Sequence, residues 1–278
     1  MAGQLLGAGE IRRLADELGV MPTKKLGQNF VHDANTVRKI VTLAGVEAGD
    51  VVLEVGPGLG SLTLGLLELG ARVVAVEIDA RLAARLPQTA ADFQPGRELH
   101  VLSADALELR ELPLAPKRLV ANLPYNISVP VLIHLLETLP SLDSALVMVQ
   151  AEVGYRIAAA PGSKVYGVPS IKAAWWGEWS VAGTVSRQVF WPVPNVDSVL
   201  VRFERRPPRG SESLRQRVFE LVDAAFGQRR KMLRQSLSTV FGDSGRASAA
   251  LIAAGISPEA RGEALSIEDF AALARLGG

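Results

Sequence analysis

Residues 51 to 77 confine this chain to a small set of folds. Val51 to Val55 is a short apolar run, Gly56, Pro57, Gly58, Leu59 and Gly60 follow at once, and Ser61 to Leu69 has helical character. Strand, glycine turn and helix in that order open an α/β sheet that holds a ligand at the turn. Glycines let the backbone approach the ligand closely, and the helix N-terminus offers N–H groups without intrahelical partners. A second apolar run, Arg72 to Val76, ends in Glu77. That is about twenty residues past the turn, where a carboxylate can hold ribose hydroxyls. A nucleoside cofactor is the expectation.

Two cofactors compete for this unit. A dinucleotide fingerprint asks for glycines at 56, 58 and 61, whereas the chain has them at 56, 58 and 60, then Ser61, with Glu54 beside the turn. A carboxylate at Glu54 repels phosphate and suits the cationic amino-acid end of S-adenosylmethionine. Leu99 to Leu102 resembles a third strand leading to Ser103, Ala104 and Asp105. Asp105 can accept a hydrogen bond from an adenine amine, or it can cap a helix beginning at Ala106 and Leu107.

Asn122, Leu123, Pro124, Tyr125 and Asn126 put an amide, a carbonyl-rich turn and an aromatic ring side by side. The exocyclic amine of adenine is a poor nucleophile because its lone pair is delocalised. The Asn122 amide oxygen and the carbonyl of Leu123 or Pro124 can accept its two hydrogens and stabilise the charge that grows on alkylation. Tyr125 can stack on a base taken out of its helix. A proline-containing turn with no chemical role is the plain alternative.

Strands near 51–55, 72–76, 99–102, 118–121 and 145–149 alternate with helical stretches, the pattern of a doubly wound α/β sheet. Segments at 185–190 and 198–204 read as an antiparallel pair completing it. Gly9 to Gly19 reads as a short amphipathic helix. The run Arg206, Pro207, Pro208, Arg209, Gly210, Ser211 breaks the pattern, and helical periods follow at 213–226, 229–241, 245–253 and 266–276. The expected division is residues 1–207, catalytic, and 208–278, helical. The 278 residues suffice for both. There is no signal-peptide pattern and no apolar run near twenty residues, so a cytoplasmic protein away from membranes is expected. No cysteine is present, and only His32, His100 and His134, scattered along the chain, so no metal is expected.

The motifs KKLGQNF at 24–30, EVGPGLG at 54–60, Glu77, Asp105, NLPYN at 122–126, VPNVDS at 193–198 and QRRKMLRQSL at 228–237 occur in that order. By them the chain resembles the ribosomal RNA adenine N6,N6-dimethyltransferases, and most the bacterial small-subunit, KsgA-type family. The resemblance implies a Rossmann-like, S-adenosylmethionine-dependent methyltransferase with a small C-terminal helical domain that binds RNA. It implies cofactor contacts near Gln28, Asn29 and Val31, at Gly56 and Gly58, at Glu77 and Ile78, at Asp105 and Ala106, and at Asn122. It places Phe190 across the target adenine from Tyr125. The implied substrate is two adjacent adenosines in a stem-loop near the 3′ end of 16S ribosomal RNA, within the small subunit or its precursor, and the protein is expected to be a monomer. One departure is Ala104, where relatives often carry glycine.

Between residues 202 and 234 ten basic side chains face four acidic ones, although the whole chain carries only +1. Arg229, Arg230, Lys231 and Arg234 would form a phosphate-binding ridge within about one and a half helical turns, joined by Lys24 and Lys25. A solvated helix face is the alternative. Phe190 before Trp191 and Pro192 can equally be core packing, and Trp175, Trp176 and Trp179 are assigned to packing. Pro161 to Pro169, rich in small residues, reads as a mobile loop beside the site. The competing functions are methylation of a single large-subunit adenosine, an assembly factor without catalysis, and, distantly, a nicotinamide-dependent dehydrogenase. Intact Glu77, Asp105 and Asn122 speak against a dead site.

Overall fold

The structure, a computed structural model, describes residues 4–20 and 28–276. Two compact units are present. One takes the chain up to Gly154 and again from Ser180 to Arg205, and the other joins Tyr155–Trp179 to Arg206–Gly278.

The first unit is built on the apolar runs read from the sequence. They become β2 (Val51–Val55), β3 (Arg72–Glu77), β4 (Leu99–Ser103), β5 (Arg118–Asn122) and β6 (Ser144–Gln150), which pair in parallel in the order β4-β3-β2-β5-β6. In β2, β3, β5 and β6 most side chains are buried, as expected where a parallel sheet is covered on both faces. Helices α3 (Ser61–Leu69) and α4 (Ala80–Phe93) follow β2 and β3. The chain runs outward from β2 to β4, then returns to place β5 on the other side of β2. That reversal creates a crevice at the carboxyl ends of β2 and β5, the usual ligand position in an open α/β sheet.

The sheet is finished by β9 (Ser198–Arg205), antiparallel to β6, with β7 (Gly177–Val185) at the edge. The strand expected at 185–190 therefore lies earlier. Ser186 accepts from the Gln188 N–H and starts a 3-10 turn over Arg187–Val189, ending the strand at Val185. Phe190 and Trp191 (β8) instead pair with Phe30 and Val31 (β1), a ribbon outside the main sheet.

In the second unit, α7 (Val168–Ala174), α8 (Glu212–Gly227), α11 (Ser244–Ala253) and α12 (Ile267–Arg275) enclose a core containing Ile171, Trp175, Val218, Leu221, Leu251 and Phe270. The sequence division at 207/208 had left 155–179 in the first domain. Ile171 and Trp175 bury their side chains in this helical core, so the unit is discontinuous in sequence. Trp175 meets Phe219 edge-on, and the Trp179 indole N–H donates to the Ala173 carbonyl at 2.9 Å, both packing roles.

The stretch 161–169 is a tied segment of this unit. The Gly162 N–H donates to the Glu263 carbonyl, the Tyr166 hydroxyl donates to the Leu265 carbonyl, and α7 begins at Val168. The helix expected over 229–241 is also absent as such. After α8 the backbone leaves helical angles at Gln228, residues 228–231 turn, and two short helices follow, α9 (Leu233–Ser236) and α10 (Ser238–Phe241).

Candidate active site

The crevice is lined by the ends of β2, β3 and β5, by the turn after β4 and by residues 28–31. Gly56, Gly58 and Gly60 all have left-handed φ angles, 69°, 59° and 100°. A Cβ on Gly58 would lie 2.8 Å from the Phe30 ring, so glycine is required there by both backbone and space. The Ser61 hydroxyl, in the first turn of α3, donates to the Val31 carbonyl at 2.5 Å, fastening the 28–31 segment over the turn.

Glu77 ends β3 and is buried. One carboxylate oxygen accepts from the Gly58 N–H and the other from the Asp79 N–H, each at 3.0 Å. These bonds fix the carboxyl at the pocket wall, and each oxygen retains a lone pair for a further donor. Burial pushes its pKa up, against those two bonds. Ile78, next in sequence, is 52% exposed and gives the rim an apolar platform. Asp105 accepts from the Leu107 N–H at 2.9 Å, and residues 106–108 form a turn where the sequence allowed a helix. Ala106 is buried against the pocket.

Glu54 lines the pocket, as its sequence position suggested, but as a buried group. It is 1% exposed, its carboxyl accepts the Thr63 hydroxyl at 2.6 Å, and burial raises its pKa to about 8. Burial thus favours its protonated form at neutral pH, and a cation beside it would draw it back toward the carboxylate.

Asn122 closes β5. Its side-chain N–H donates to the Asn29 carbonyl at 3.0 Å, and since a carbonyl can only accept, this fixes which way the amide faces. The amide oxygen Oδ1 is then buried with no protein partner. An unmet acceptor in a buried site costs about 1–3 kcal/mol, so its placement calls for a donor from a ligand. The turn that follows is tied back by the Leu123 N–H, which donates to the Met148 carbonyl at 3.1 Å. The Pro124 carbonyl accepts from Ile127 at 3.3 Å and keeps a second lone pair, so the Leu123 and Pro124 carbonyls both retain acceptor capacity in this turn. Tyr125 is partly buried, its hydroxyl 2.5 Å from that of Ser198.

Phe190 is corrected by its burial. At 1% exposed, it packs in the hydrophobic core of the first unit and presents no open face on which a base could stack. Gln28, Asn29, Val31, Glu54, Gly56, Gly58, Glu77, Ile78, Asp105, Ala106, Asn122 and Pro124 do converge on one pocket. Phe30, the last residue of the KKLGQNF motif, and Ser61 after the glycine turn join them without having been assigned a role, as do Leu82 and Ile127, the latter directly after NLPYN.

The basic cluster lies in the second unit. Arg229 is exposed but already partnered: its guanidinium donates to the Lys164 carbonyl at 3.1 Å and the Tyr166 carbonyl at 3.3 Å, and pairs with Glu263 at 3.2 Å. Arg234 lies on α9, 3.9 Å from Glu259, while Arg230 and Lys231 are exposed on the turn. Arg229, Arg230 and Lys231 share a turn, and Arg234 lies apart from them on α9, so the four do not form one helical face. Lys24 and Lys25 lie outside the described residues. Among the described residues no cluster of His, Asp or Glu is placed to hold a metal, and no helix is long and apolar enough to cross a membrane.

Comparison with known proteins places this geometry among relatives. The sequence profile of the family described as ribosomal RNA adenine dimethylase matches residues 22–276. The ribosomal RNA small subunit methyltransferase A of Leifsonia xyli subsp. xyli is 69% identical, covering 98% of both chains, and that of Streptomyces coelicolor 58%, covering 97% of this chain and 96% of the relative. Among solved structures, a dimethyladenosine transferase from Plasmodium falciparum matches with a TM-score of 0.74 at 24% identity, covering 88% of this chain and 95% of the other, a likeness of fold. The 23S rRNA methyltransferase ErmE gives 0.67 at 27%, covering 89% and 98%.

Proposed function

The chain belongs to the ribosomal RNA adenine dimethylase family, and from that premise we propose that it transfers methyl groups from S-adenosylmethionine to N6 of two adjacent adenosines in a 3′-terminal stem-loop of 16S ribosomal RNA, as part of small-subunit assembly. The observation that carries the reading is the buried, unpartnered Oδ1 of Asn122, with the Leu123 and Pro124 carbonyls in the same turn.

The residues present fit the cofactor. The left-handed glycines of the turn bring the backbone to the pocket wall, Glu77 has lone pairs for ribose hydroxyls, Ile78 offers an apolar face for an adenine, and Asp105 an acceptor for its amine. The cofactor supplies an electrophilic methyl group on a sulfonium. Asn122 and the carbonyl of Leu123 or Pro124 then accept the two N6 hydrogens, draw the nitrogen toward tetrahedral geometry and stabilise the positive charge it gains. A neutral acceptor suits two rounds: after the first transfer the amine keeps one hydrogen, and the amide oxygen can still accept it. Tyr125 stacks on the extruded base.

Small-subunit RNA is favoured as substrate because the relatives named for it are 58–69% identical over nearly the whole chain, against 27% for the 23S enzyme. The reading implies a cytoplasmic monomer that meets the RNA within the small subunit or its precursor, with Arg230 and Lys231 on phosphates. The test is to incubate the protein with labelled S-adenosylmethionine and either immature small subunits or protein-free large-subunit RNA, and map the methylated nucleotides. Dimethyladenosine at two adjacent small-subunit positions is expected, and label confined to the large subunit overturns it.

A further inference from the structure

The VPNVDS motif at 193–198 has so far no chemical task, yet its last residue meets the turn that carries the proposed chemistry. Ser198 begins β9, directly opposite Gln150 of β6, and is 0% exposed. Its hydroxyl lies 2.5 Å from the Tyr125 hydroxyl. The antiparallel strand is held there by the Ala151 N–H donating to the Asp197 carbonyl at 2.8 Å. A serine sealed from water must find its hydrogen bond inside the protein, and the phenol supplies it.

We propose that Ser198 is a positioning residue for methyl transfer: by binding the phenol at its far end it fixes the direction in which the Tyr125 ring projects from its turn, so that the ring reaches the target adenine at the height of Asn122. This rests on the reading of Tyr125 as the stacking ring. Tyr125 sits in a short turn, residues 125–127, whose own hydrogen bonds restrain the backbone but leave both side-chain torsions to be set by packing. A ring anchored only at Cα can tilt about those torsions. One anchored also at its hydroxyl, which lies on the axis of the second torsion, cannot swing about the first torsion without breaking a buried bond. Burial holds the Tyr125 pKa above the usual phenol value, so the proton needed for this bond is kept throughout the neutral range. The interaction links β5, which carries the acceptors, to β9, which the sheet adds beyond its parallel core. It also gives the hydroxyl of Tyr125 a purpose that stacking alone, equally served by phenylalanine, does not.

The test compares the wild type with Ser198→Ala, Tyr125→Phe and the double variant, on a small-subunit RNA substrate. Three quantities are read: the single-turnover methylation rate, the S-adenosylmethionine Kd, and the fluorescence of 2-aminopurine at a target position, which stacking quenches. A single buried hydrogen bond predicts a rate loss of roughly threefold to tenfold for either single variant. Cofactor Kd should be unchanged and the 2-aminopurine brighter. The double variant should lose no more than either single one, because both remove the same bond. Multiplied losses, weakened cofactor binding in step with the rate, or an unquenched base only in the double variant would overturn the proposal. If Ser198→Ala proves poorly folded, Tyr125→Phe reads the same bond from the other end at nearly constant volume. Tyr125→Ala separates the premise from the inference. If it methylates and quenches normally, the stacking reading itself fails; if it is impaired while Ser198→Ala and Tyr125→Phe are silent, only the positioning role fails.

Discussion

The pocket beyond β2 and β5 and the turn after α8 handle polar groups in opposite ways. In the pocket, charge is withdrawn: Glu54 is neutralised by burial, Glu77 is bound by two backbone N–H groups, and the key group is an uncharged amide with an unmet acceptor. On the turn, charge is displayed, with Arg229, Arg230 and Lys231 all exposed, although the Arg229 guanidinium is also tied to carbonyls and to Glu263. The contrast follows from the two tasks. Recognising one amine needs a fixed, dry hydrogen-bonding direction, and meeting phosphate needs only positive potential at a solvated surface.

The sharpest way to break this comparison is at Asn122. If the dry amide carries the chemistry, Asn122→Ala lowers turnover by about 10²–10³, the loss known for removing one group that stabilises transition-state charge. Cofactor affinity should fall little. Mass spectrometry of the RNA product with calorimetric titration of the cofactor gives both numbers, and near-normal dimethyladenosine would mean that Asn122 only shapes the turn through its bond to Asn29.

Charge withdrawal at Glu54 has a signature in stability. A carboxyl whose pKa rises from 4.5 to about 8 on folding keeps a proton that the unfolded chain has lost anywhere between those values. The native state then binds more protons than the unfolded one, so stability falls as pH rises across that window, by up to about 1.4 kcal/mol per pH unit, and levels off above it. Glu77, shifted in the same direction, adds to the slope. Glu54→Gln keeps an acceptor for the Thr63 hydroxyl and has no proton to lose. Its advantage in urea unfolding should be smallest near pH 5 and grow toward pH 8. A wild type that gains on the variant over that range would mean the carboxyl is ionised in the fold.

These two sites also differ in how far the sequence disclosed them. The parallel strands and the glycine turn are written as continuous apolar runs and glycine positions, so the strands and the ligand-holding turn could be read directly. The β1–β8 ribbon could not, because it pairs two residues at Phe30 with two at Phe190 across most of the unit. The burial of Glu54 and Phe190 was missed for one reason. A carboxylate beside a turn or an aromatic beside prolines looks like a ligand contact until its burial is known, and burial is set by packing from distant segments. The basic residues were misplaced by periodicity. Met232, Leu233, Leu237 and Phe241 keep a helical spacing, yet Gln228 leaves helical angles and the N–H groups of Leu233 and Arg234 donate to Ala260 and Pro258. A tertiary bond from another loop overrode the local pattern.

That misplacement leads to the smallest of the expected effects, and the most discriminating within the basic turn. Counterion release ties the salt dependence of RNA binding to the number of phosphates met, at roughly 0.7–0.9 log units of slope per contact. Neutralising Arg230 and Lys231 together should flatten the slope by about 1.4–1.8, which between 0.1 and 0.2 M salt is only about a threefold change in relative affinity. Arg229→Gln should behave differently. Its charge already faces Glu263 and its N–H groups bind the carbonyls of Lys164 and Tyr166, so the slope should stay near the wild-type value. What the substitution removes is the tie between the turn and the 161–167 segment, and a lower melting temperature with faster amide exchange at 162–167 is the expected result. If Arg229→Gln instead flattens the slope as much as each of its neighbours and leaves stability untouched, all three side chains are displayed to phosphate, and the ties of Arg229 have no part in holding the surface together.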